Sequence, residues 1–341
     1  MGVYLKGLIE SKKIELKDLK GKAVAIDAYN ALYQFISTIR QYDGSSLVDS
    51  KGNITSHLSG LFYRTLNLMK EGIKVCYVFD GKPPVFKTQT VNERINIRNK
   101  AKEEYLQALS EGDFKRAKSK SMQSAALTKE MIKEAKELIT ALGLPFIDAL
   151  SEGEAQASFM ANNNDVYCCV SQDYDSLLFK APLLVRNLNI TGKRKIPGKN
   201  LYTTIYPEII DLKSELKRLN ITHEQLIMIA ILIGTDYNPK GIKGLGPKKA
   251  YKLVIEEKSF NNVFSKVNWN FNVSPKEIFD FFINPPIKKD YELKFISPDY
   301  DKLIELLCKK HDFSESRINN SINQLKELNK AKNQKGLNHF F

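Results

Sequence analysis

Cysteine is scarce in this sequence of 341 residues, and what there is does not form a pattern typical of a zinc site or a disulfide frame. The four cysteines are Cys76, Cys168, Cys169 and Cys308. Three of them lie in apolar, strand-like runs, and no two have the spacing C-x-x-C. This pattern predicts buried, reduced thiols, as expected for a protein of a reducing compartment.

The sequence also lacks segments that target or anchor a chain. Its first residues, MGVYLKGLIESKK, contain no signal-peptide core, and no apolar stretch is long enough to span a bilayer. There is no linker rich in Gly/Ser or in Pro, and 43% of the residues are hydrophobic, which is enough for a globular core. We therefore expect a folded intracellular protein without a membrane partner, cytoplasmic in a prokaryotic or archaeal cell and nuclear in a eukaryote.

Acidic residues are too few to balance the basic ones. The chain has 52 Lys and Arg against 39 Asp and Glu, a formal net charge of +13 and a pI of about 9.3. Such a surplus suits a polyanionic partner, of which nucleic acid is the first candidate. A lysine-rich surface that serves solubility is the alternative, and composition leaves both open.

Short apolar runs alternate with helical patterns in the first 190 residues. Because strands alternating with helices favour a mostly parallel sheet covered on both faces, we predict an α/β fold. The polar stretch 81–130 interrupts this alternation and predicts a helical insertion on the surface. The pattern is helical again from residue 222, and 329–341 predicts a flexible tail. The predicted strands are 23–26, 75–79, 166–170 and 183–185, and the predicted helices are 56–71, 123–142 and 152–162.

Carboxylates follow the predicted strands. Asp27 ends the first run, Asp80 the second, and Asp173 and Asp175 follow the third, in CCVSQDYDSLLF. Further carboxylates stand at a helix start and after another helix, namely Glu152, Glu154 and Asp236. The carboxyl ends of parallel strands face one crevice, where α/β proteins bind their ligands.

So many carboxylates in one crevice would repel one another unless cations were bound. Oxygen ligands without His or Cys favour Mg²⁺ or Mn²⁺, and two such ions can hydrolyse a phosphodiester. Each residue also has a structural interpretation. Ser151 to Glu154 fits a capping box, and an Asp after a strand is often a turn or N-cap residue. The metal interpretation gains weight because these alternatives would have to apply separately several times.

At these residues the chain resembles the flap endonuclease family of structure-specific 5′ nucleases, in an archaeal-type form. The matching motifs occur in family order over essentially the whole chain: MGV, AIDAYNALYQF, SHLSGLFYRT, YVFDGKPP, EGEAQA, SQDYDSLLF, LIGTDYNPKGIKGLGPKKA and QKGLNHFF. The resemblance implies a PIN-like 5′ nuclease fold. This is a central, mostly parallel twisted sheet flanked by helices, with a helical arch insertion and a C-terminal helical helix–two-turn–helix DNA-binding region.

The resemblance also assigns roles at the acidic cluster. It implies two Mg²⁺ ions, replaceable by Mn²⁺, and carboxylate ligands at Asp27, Asp80, Glu152, Glu154, Asp173, Asp175 and Asp236. Gly153 departs from the family, whose members usually carry Ala between the two glutamates. Lys87 and Arg94, seven residues apart and so on one face of a helix, match the basic pair that acts with Asp173 in catalysis. A solvated helix face is the alternative for this pair.

Other residues are expected to contact DNA. By resemblance Tyr33 stacks on a base, although periodicity alone predicts a core aromatic. Arg40 and Arg64 suit the DNA backbone, or are ordinary surface cations.

In GIKGLGPKKA, a glycine-rich loop precedes a helix that begins at Pro247, and such a helix start accepts phosphate. The residues assigned to duplex binding are Gly234, Asp236, Gly244, Gly246, Lys248 and Lys249, with a K⁺ ion implied by the resemblance. A plain helix–loop–helix turn is the alternative.

The last eight residues contain the spacing Q-x-x-L-x-x-F-F, at Gln334, Leu337, Phe340 and Phe341. Two terminal phenylalanines on a polar tail suit a short helix that enters a partner's pocket. The pattern resembles the motif by which replication proteins bind a sliding clamp (PCNA-type). The alternative is a tail that folds back on its own core.

We therefore predict a DNA-associated, monomeric 5′ flap endonuclease. It would cut a phosphodiester at the single-strand/duplex junction in Okazaki fragment maturation and repair, with 5′–3′ exonuclease activity as well. The alternatives are an exonuclease acting on recessed or nicked ends, and a non-catalytic junction binder that recruits the clamp. We expect one nuclease domain, residues 1–328, followed by a tail, residues 329–341, that carries the clamp motif 334–341. Within the domain, the N-terminal nuclease region covers about 1–100 and the arch about 81–130. The internal nuclease region covers about 131–255 and includes the hairpin 234–255, and a helical part extends to 328.

Overall fold

The computed structural model describes residues 2–41, 44–189, 193–195 and 202–337. The chain forms two compact units. Unit 1 comprises Met1–Ala28, Val78–Glu93 and Ile147–Tyr291, and unit 2 comprises Tyr29–Tyr77, Arg94–Phe146 and Glu292–Phe341. Each unit is described by itself below.

The strands are short and mostly apolar. They are β1 (Lys12–Lys13), β2 (Ala23–Asp27), β3 (Lys74–Phe79), β4 (Phe146–Asp148), β5 (Cys168–Val170), β6 (Leu183–Arg186), β7 (Lys193–Lys195), β8 (Tyr202–Thr204) and β9 (Glu208–Asp211).

The helices vary in length from one turn to six. They are α1 (Ala28–Thr38), α2 (Ser56–Lys70), α3 (Thr88–Ser110), α4 (Phe114–Gln123), α5 (Lys129–Ala141), α6 (Gly153–Asn162), α7 (Asp175–Leu178), α8 (Leu212–Leu219), α9 (His223–Ile233), α10 (Pro247–Glu257), α11 (Phe260–Ser265), α12 (Pro275–Ile283), α13 (Tyr300–Ile304) and α14 (Glu315–Leu337). A π-helical turn, Glu305–Lys310, follows α13.

Within the described residues, seven strands form one mixed sheet in the order β1-β9-β6-β5-β2-β3-β4. β2, β5 and β6 are parallel, with Ala25 opposite Cys169 and Cys169 opposite Leu184. β9 pairs antiparallel with β6 and with β1, and β7 and β8 form a separate two-stranded sheet. The predicted α/β fold is confirmed, and the antiparallel edge is a feature that the sequence did not predict.

The central strands match the predicted apolar runs because the sheet is covered on both faces. Val24, Ala25 and Ile26 in β2 and Cys168 in β5 are fully or almost fully buried. α6 packs on β2 and β5 within unit 1. Burial on both faces removes the need for alternating polar residues, which explains why these strands are continuous hydrophobic runs.

One predicted helix begins later than expected. The pattern predicted a helix over 123–142, whereas α4 ends at Gln123 and α5 begins at Lys129. The Thr128 side chain accepts a hydrogen bond from the Met131 backbone N–H and so caps the start of α5. The predicted helical content of 81–130 is confirmed by α3 and α4.

Unit 2 is built mainly from helices. α2 packs against α5 and α14, and α5 also packs against α13. The apolar stripes of α2 and α5 form the core of this unit, with Leu58, Leu61, Phe62 and Leu138 almost completely buried. In the part of the chain that the structure describes, no helix combines the length and apolar character needed to cross a bilayer.

Candidate metal centre and nucleic-acid interface

The seven predicted metal ligands all belong to unit 1. Asp27 is the last residue of β2, and Asp173 and Asp175 follow β5. Asp80 comes directly after β3. The other three stand at helix ends, with Glu152 as the N-cap of α6, Glu154 in its first turn, and Asp236 just after α9.

Electrostatic interactions connect these carboxylates into one cluster. Glu154 lies near the negative charges of Asp175, Asp27 and Asp173. Glu152 lies near those of Asp80 and Asp236. Asp175 interacts with both Asp236 and Asp173, so it joins the two groups. The structure therefore brings together all seven side chains that the sequence singled out.

Burial makes this cluster electrostatically unfavourable. Desolvation and then the charges of Asp175, Asp27 and Asp173 raise the pKa of Glu154 well above its usual range. Burial and then Asp236 and Asp173 raise the pKa of Asp175 to about 7, although the Val3 backbone N–H donates a hydrogen bond of 2.6 Å to Asp175 Oδ1. A bound cation would relieve both effects, because it favours the ionised form of every neighbouring carboxylate.

Lys87 supplies one positive charge to this cluster. Its ammonium Nζ lies 2.7 Å from Glu152 Oε2 and 3.4 Å from Asp236 Oδ2. Burial acts to lower the pKa of Lys87, but the charges of Glu152 and Asp236 outweigh it and raise this pKa above its ordinary value. Lys87 is therefore a charged, largely desolvated group held among the carboxylates.

The donor set fits a hard divalent cation. As the side chains stand, no three His, Cys, Asp or Glu among the described residues already surround a point at which a metal ion could sit. Such a cage is not required by Mg²⁺, which keeps several waters and takes one or two protein carboxylates directly. The cluster offers carboxylate oxygens and no imidazole or thiolate, so its chemistry matches that of Mg²⁺ and Mn²⁺.

Two glycines allow close packing around the carboxylates. The Gly153 backbone N–H donates to Asp80 Oδ1 at 2.7 Å, and a Cβ on Gly153 would lie 2.8 Å from the same oxygen. A Cβ on Gly2 would lie 2.6 Å from the Asp173 Cβ. The contacts of Gly2 and Val3 with the cluster were not predicted, because the Val3–Asp175 hydrogen bond joins positions 172 residues apart.

Aromatic side chains that the sequence analysis missed form an apolar wall beside Lys87. The Tyr237 ring is buried and lies 5.9 Å from Lys87 Nζ. It packs edge-to-face on Phe86 and Phe281, with ring centroids 5.1 and 5.2 Å away. The sequence signal that could have identified Tyr237 is its position directly after Asp236, a predicted metal ligand. This wall excludes water and so strengthens the electrostatic interactions beside it.

The predicted DNA-gripping loop forms a tight turn in unit 1. Gly234 and Gly241 have φ of +107° and +55°, and a Cβ on Gly241 would lie 2.3 Å from the Ile233 carbonyl carbon. A side chain at this position would collide with backbone, so glycine is required here. Gly246 is the N-cap of α10, and Pro247 is its first residue, as predicted.

A cavity of about 330 Å³ opens at this helix start. It is lined by Lys6, Gly7, Gly244, Gly246, Pro247, Lys248 and Lys249. The first N–H groups of an α-helix have no intrahelical partner and attract anions. Lys6, which the sequence analysis did not select, adds a third lysine from the N-terminal segment.

The remaining predicted DNA contacts belong to unit 2. The Arg98 guanidinium stacks over the Tyr33 ring at 4.8 Å. Arg40 donates hydrogen bonds to the Ser121 hydroxyl and carbonyl, at 2.5 and 2.8 Å. Burial lowers the pKa of Arg64. Arg94 lies on α3. The DNA roles of these residues stay predictions.

The predicted clamp motif lies mostly outside the described residues. The backbone of α14 is helical to Leu337, which includes positions 334 and 337. The side chains of Gln334 and Leu337, and all of Phe340 and Phe341, lie outside the described part of the chain.

Comparison with known proteins gives consistent matches over the whole chain. The XPG N-terminal domain matches residues 1–101, and the XPG I-region matches residues 143–236. Flap endonuclease 1 of Thermococcus onnurineus (strain NA1) is 52% identical over 341 residues, which cover 100% of this chain and 99% of that protein.

Solved structures agree with the sequence matches. Flap endonuclease-1 from Methanococcus jannaschii aligns with a TM-score of 0.76 and 38% identity, over 97% of this chain and 100% of that one. The catalytic core of Rad2 aligns with a TM-score of 0.69 over 92% of this chain and 96% of that one, at 23% identity, and so supports the fold alone. With half of its residues shared with a flap endonuclease over their full lengths, and with the acidic cluster assembled in unit 1, the chain belongs to the flap endonuclease 1 family of structure-specific 5′ nucleases.

Proposed function

We propose that this protein hydrolyses a phosphodiester at the junction between a single-stranded 5′ flap and duplex DNA, using two Mg²⁺ ions. The observation that carries the proposal is the assembly of seven buried or half-buried carboxylates in one cluster, where burial and repulsion raise the pKa of Asp175 to about 7. Metal dependence is general in this family. The identity of the metal as Mg²⁺ rests on the all-oxygen donor set.

The proposed ligands form two overlapping groups. Asp27, Glu154 and Asp173 belong to one, Asp80, Glu152 and Asp236 to the other, and Asp175 interacts with both. Bound there, the metal ions would activate water and stabilise the leaving oxygen of a phosphodiester. The protein itself holds the carboxylates in position through the backbone N–H groups of Val3 and Gly153.

Lys87 is proposed to stabilise charge on the scissile phosphate. Its ammonium is charged and held by Glu152 and Asp236, within the acidic cluster. A fixed cation in a water-poor site stabilises developing negative charge far better than an exposed one. Arg94 is proposed as the second cation of this pair, on the basis of the family motif.

Duplex DNA is proposed to bind at the start of α10. The cavity there combines free helix N–H groups with Lys6, Lys248 and Lys249, and contacts of this kind recognise phosphates and not bases. The Rad2 catalytic core, which has the same fold, was solved in complex with DNA substrate. A K⁺ ion at the same loop is part of the proposal, and Tyr33, Arg40 and Arg64 are proposed as further DNA contacts.

The C-terminal motif is proposed to bind a sliding clamp of the PCNA type. The spacing of Gln334, Leu337, Phe340 and Phe341 supports this proposal. Tethering to a clamp would raise the local concentration of the nuclease at replication junctions. We propose that residues 1–328 act as one monomeric nuclease and that the remaining residues connect it to the clamp.

Cleavage mapping on a 5′-labelled flap substrate tests the activity. We expect a product cut at the junction with Mg²⁺ and none with EDTA. Asp173→Ala should abolish cleavage while DNA binding persists, and Asp290→Ala, which changes an exposed carboxylate of the same unit, should leave cleavage unchanged. Stepwise release of mononucleotides would instead identify an exonuclease, and binding without cleavage by the wild-type protein would identify a junction binder.

A further inference from the structure

A large groove in unit 2 belongs to none of the sites described above. It lies along α5 and the turn that follows α13, and it has a volume of about 930 Å³. Its lining is rich in lysine, with two glutamates and several apolar residues. The charged residues of the lining are Lys129, Lys133, Lys136, Glu137, Lys302, Glu305, Lys309 and Lys310.

The lysines form two facing rims. Lys129, Lys133 and Lys136 follow one another at intervals of four and three residues, so they share one face of α5. Lys302 and Lys309–Lys310 come from α13 and the π-helical turn. Both rims therefore consist of long cationic side chains that can reach across an occupant of the groove.

The floor between the rims is apolar. Ile132 and Phe146 are half-buried, and Leu306 is buried. The Lys136 ammonium lies 5.4 Å from the centroid of the Phe146 ring. An apolar floor between two charged rims is the complement of an amphipathic helix, which places apolar side chains on one face and charged side chains along its edges.

The groove has a net positive charge, and its apolar floor favours a peptide over nucleic acid. Six lysines and two glutamates, Glu137 and Glu305, line it, so either kind of anion is attracted. Some lysine charge is already balanced, since Lys310 lies 3.2 Å from Glu134 and Lys302 lies 3.5 Å from Asp299. A phosphate backbone would not pack on the exposed parts of the half-buried Ile132 and Phe146 side chains, whereas the apolar face of an amphipathic helix would cover them.

We propose that this groove is a docking site for an acidic amphipathic helix of a partner protein. The apolar face of the helix would cover Ile132, Phe146 and Leu306, and its carboxylates would meet the lysine rims. Complementary charge of this kind chiefly sets the rate of encounter and the choice of partner, while the apolar floor supplies much of the affinity. None of the groove residues is proposed as a metal ligand or a DNA contact, so we expect docking to recruit a partner and to leave the cleavage reaction unchanged.

Binding of designed peptides tests the proposal on the full-length protein in EDTA. The probe is a fluorescein-labelled helical peptide of about 15 residues, with leucines at i, i+3, i+4 and i+7 and glutamates beside them. A second peptide carries lysines in place of the glutamates, and a third probe is a single-stranded oligonucleotide. Fluorescence anisotropy gives the affinity of each.

Variants with matched charge separate the groove from the overall basic surface. The double variant Lys133→Glu with Lys309→Glu reverses one lysine on each rim. The control, Lys20→Glu with Lys213→Glu, makes the same change in net charge at exposed positions of unit 1. We expect the groove variant to bind the acidic peptide at least about tenfold more weakly than the wild type does. The control variant should bind it less than about twofold more weakly. Ile132→Ser, at a half-buried floor position, should also weaken it.

Three results would overturn the proposal. One is equal weakening by the groove and control variants, which would indicate attraction to net charge alone. Another is loss of oligonucleotide affinity in the groove variant with unchanged peptide affinity, which would make the groove a nucleic-acid site. The third is equal binding of the acidic and lysine peptides. Circular dichroism and flap cleavage, both expected to be unchanged, establish that the variants are folded.

Discussion

The Lys87 ammonium nitrogen lies 2.7 Å from Oε2 of Glu152 and 2.9 Å from Oε1. This contact joins residues 65 positions apart and places a buried cation against a proposed metal ligand. In the absence of metal, Lys87 therefore balances part of the negative charge of the cluster. We therefore expect both the stability of the metal-free protein and its catalysis to depend on this side chain.

Lys87→Met should lower the thermal stability of the metal-free protein and the rate of cleavage together. Without the cation, Glu152 and Asp236 lose a positive partner, and the scissile phosphate loses a stabilising charge. We expect single-turnover cleavage to fall by about 100-fold or more, and the melting temperature in EDTA to fall by a few degrees. Lys82→Met, at an exposed position five residues earlier, is the control. A wild-type cleavage rate in Lys87→Met would contradict the role proposed for Lys87.

The metal-free protein should be more stable at pH 5 than at pH 8. Burial and the neighbouring carboxylates raise the pKa of Asp175 from 3.8 to about 7, so the folded state binds this proton more tightly than the unfolded state. The stability that the folded state gains by binding this proton is fully present below pH 3.8 and is lost as the pH rises through about 7. In EDTA we expect the melting temperature to fall by about 3–6 °C between pH 5 and 8.

Mg²⁺ should remove most of that difference, because it stabilises the ionised carboxylates at pH 8. Asp175→Asn should flatten the pH dependence in EDTA, since the titrating group is gone. Scanning calorimetry with EDTA and with Mg²⁺ at both pH values makes the comparison. A metal-free protein that melts at a higher temperature at pH 8 than at pH 5 would refute the expectation.

Gly153→Ala should change the metal dependence of cleavage without unfolding the protein. The added Cβ would lie 2.8 Å from Asp80 Oδ1, so the carboxylate must shift and its hydrogen bond to the backbone lengthens. We expect the Mg²⁺ concentration for half-maximal cleavage to rise about threefold. Stability in EDTA should change by less than about 1 kcal/mol, because the loss of glycine's backbone freedom in the unfolded state offsets the weaker hydrogen bond. In Gly246→Ala, whose Cβ would meet no atom within 4 Å, the Mg²⁺ dependence should not change. An unchanged Mg²⁺ titration in Gly153→Ala would show that Asp80 tolerates the methyl group.

Replacing both Lys248 and Lys249 by Gln should weaken DNA binding uniformly across sequences. These lysines line the cavity at the start of α10, where we propose that phosphates and not bases are recognised. The slope of log K against log salt should become shallower by about 1 for each phosphate that the variant no longer neutralises. Affinities measured with catalytically inactive Asp173→Ala protein at several salt concentrations give the slope. A preference for particular sequences that changes with the substitution would contradict backbone recognition.

Glu134→Gln should destabilise unit 2. Glu134 is buried, with His57 Nε2 at 3.2 Å, His311 Nε2 at 3.0 Å and Lys310 Nζ at 3.2 Å from its oxygens. Burial opposes ionisation, but His57 and His311 lower the pKa of Glu134 to about 2. The stability that ionised Glu134 gives to the folded state is therefore present above pH 4.5 and is lost as the pH falls toward 2.

We expect Glu134→Gln to lower the free energy of unfolding at pH 7 by about 2–4 kcal/mol, measured by urea denaturation. The difference from the wild type should shrink as the pH falls below 4. Glu137→Gln, on the exposed side of the same helix, should have less effect. Equal effects of the two substitutions would show that the His57 and His311 contacts contribute little.

The positions of the carboxylates at the sheet were predictable because they depend on local rules. Apolar runs such as AVAI and VCYVF form buried strands, and parallel strands end at a common edge. The motifs identified the flap endonuclease family, and the α/β fold is confirmed. The roles of individual residues in metal, DNA and clamp binding stay predictions.

The sequence alone determined four of the strands of the main sheet, helices α2 and α6, the family and the residue types offered to a metal, because periodicity and motif spacing act over a few residues. Tertiary structure decided that Lys87 meets Glu152, that the Val3 backbone reaches Asp175, and that β1 and β9 form an antiparallel edge. These contacts join distant positions, and no local pattern encodes them. They form when each unit packs its own core, because this packing determines which distant segments of the chain become neighbours.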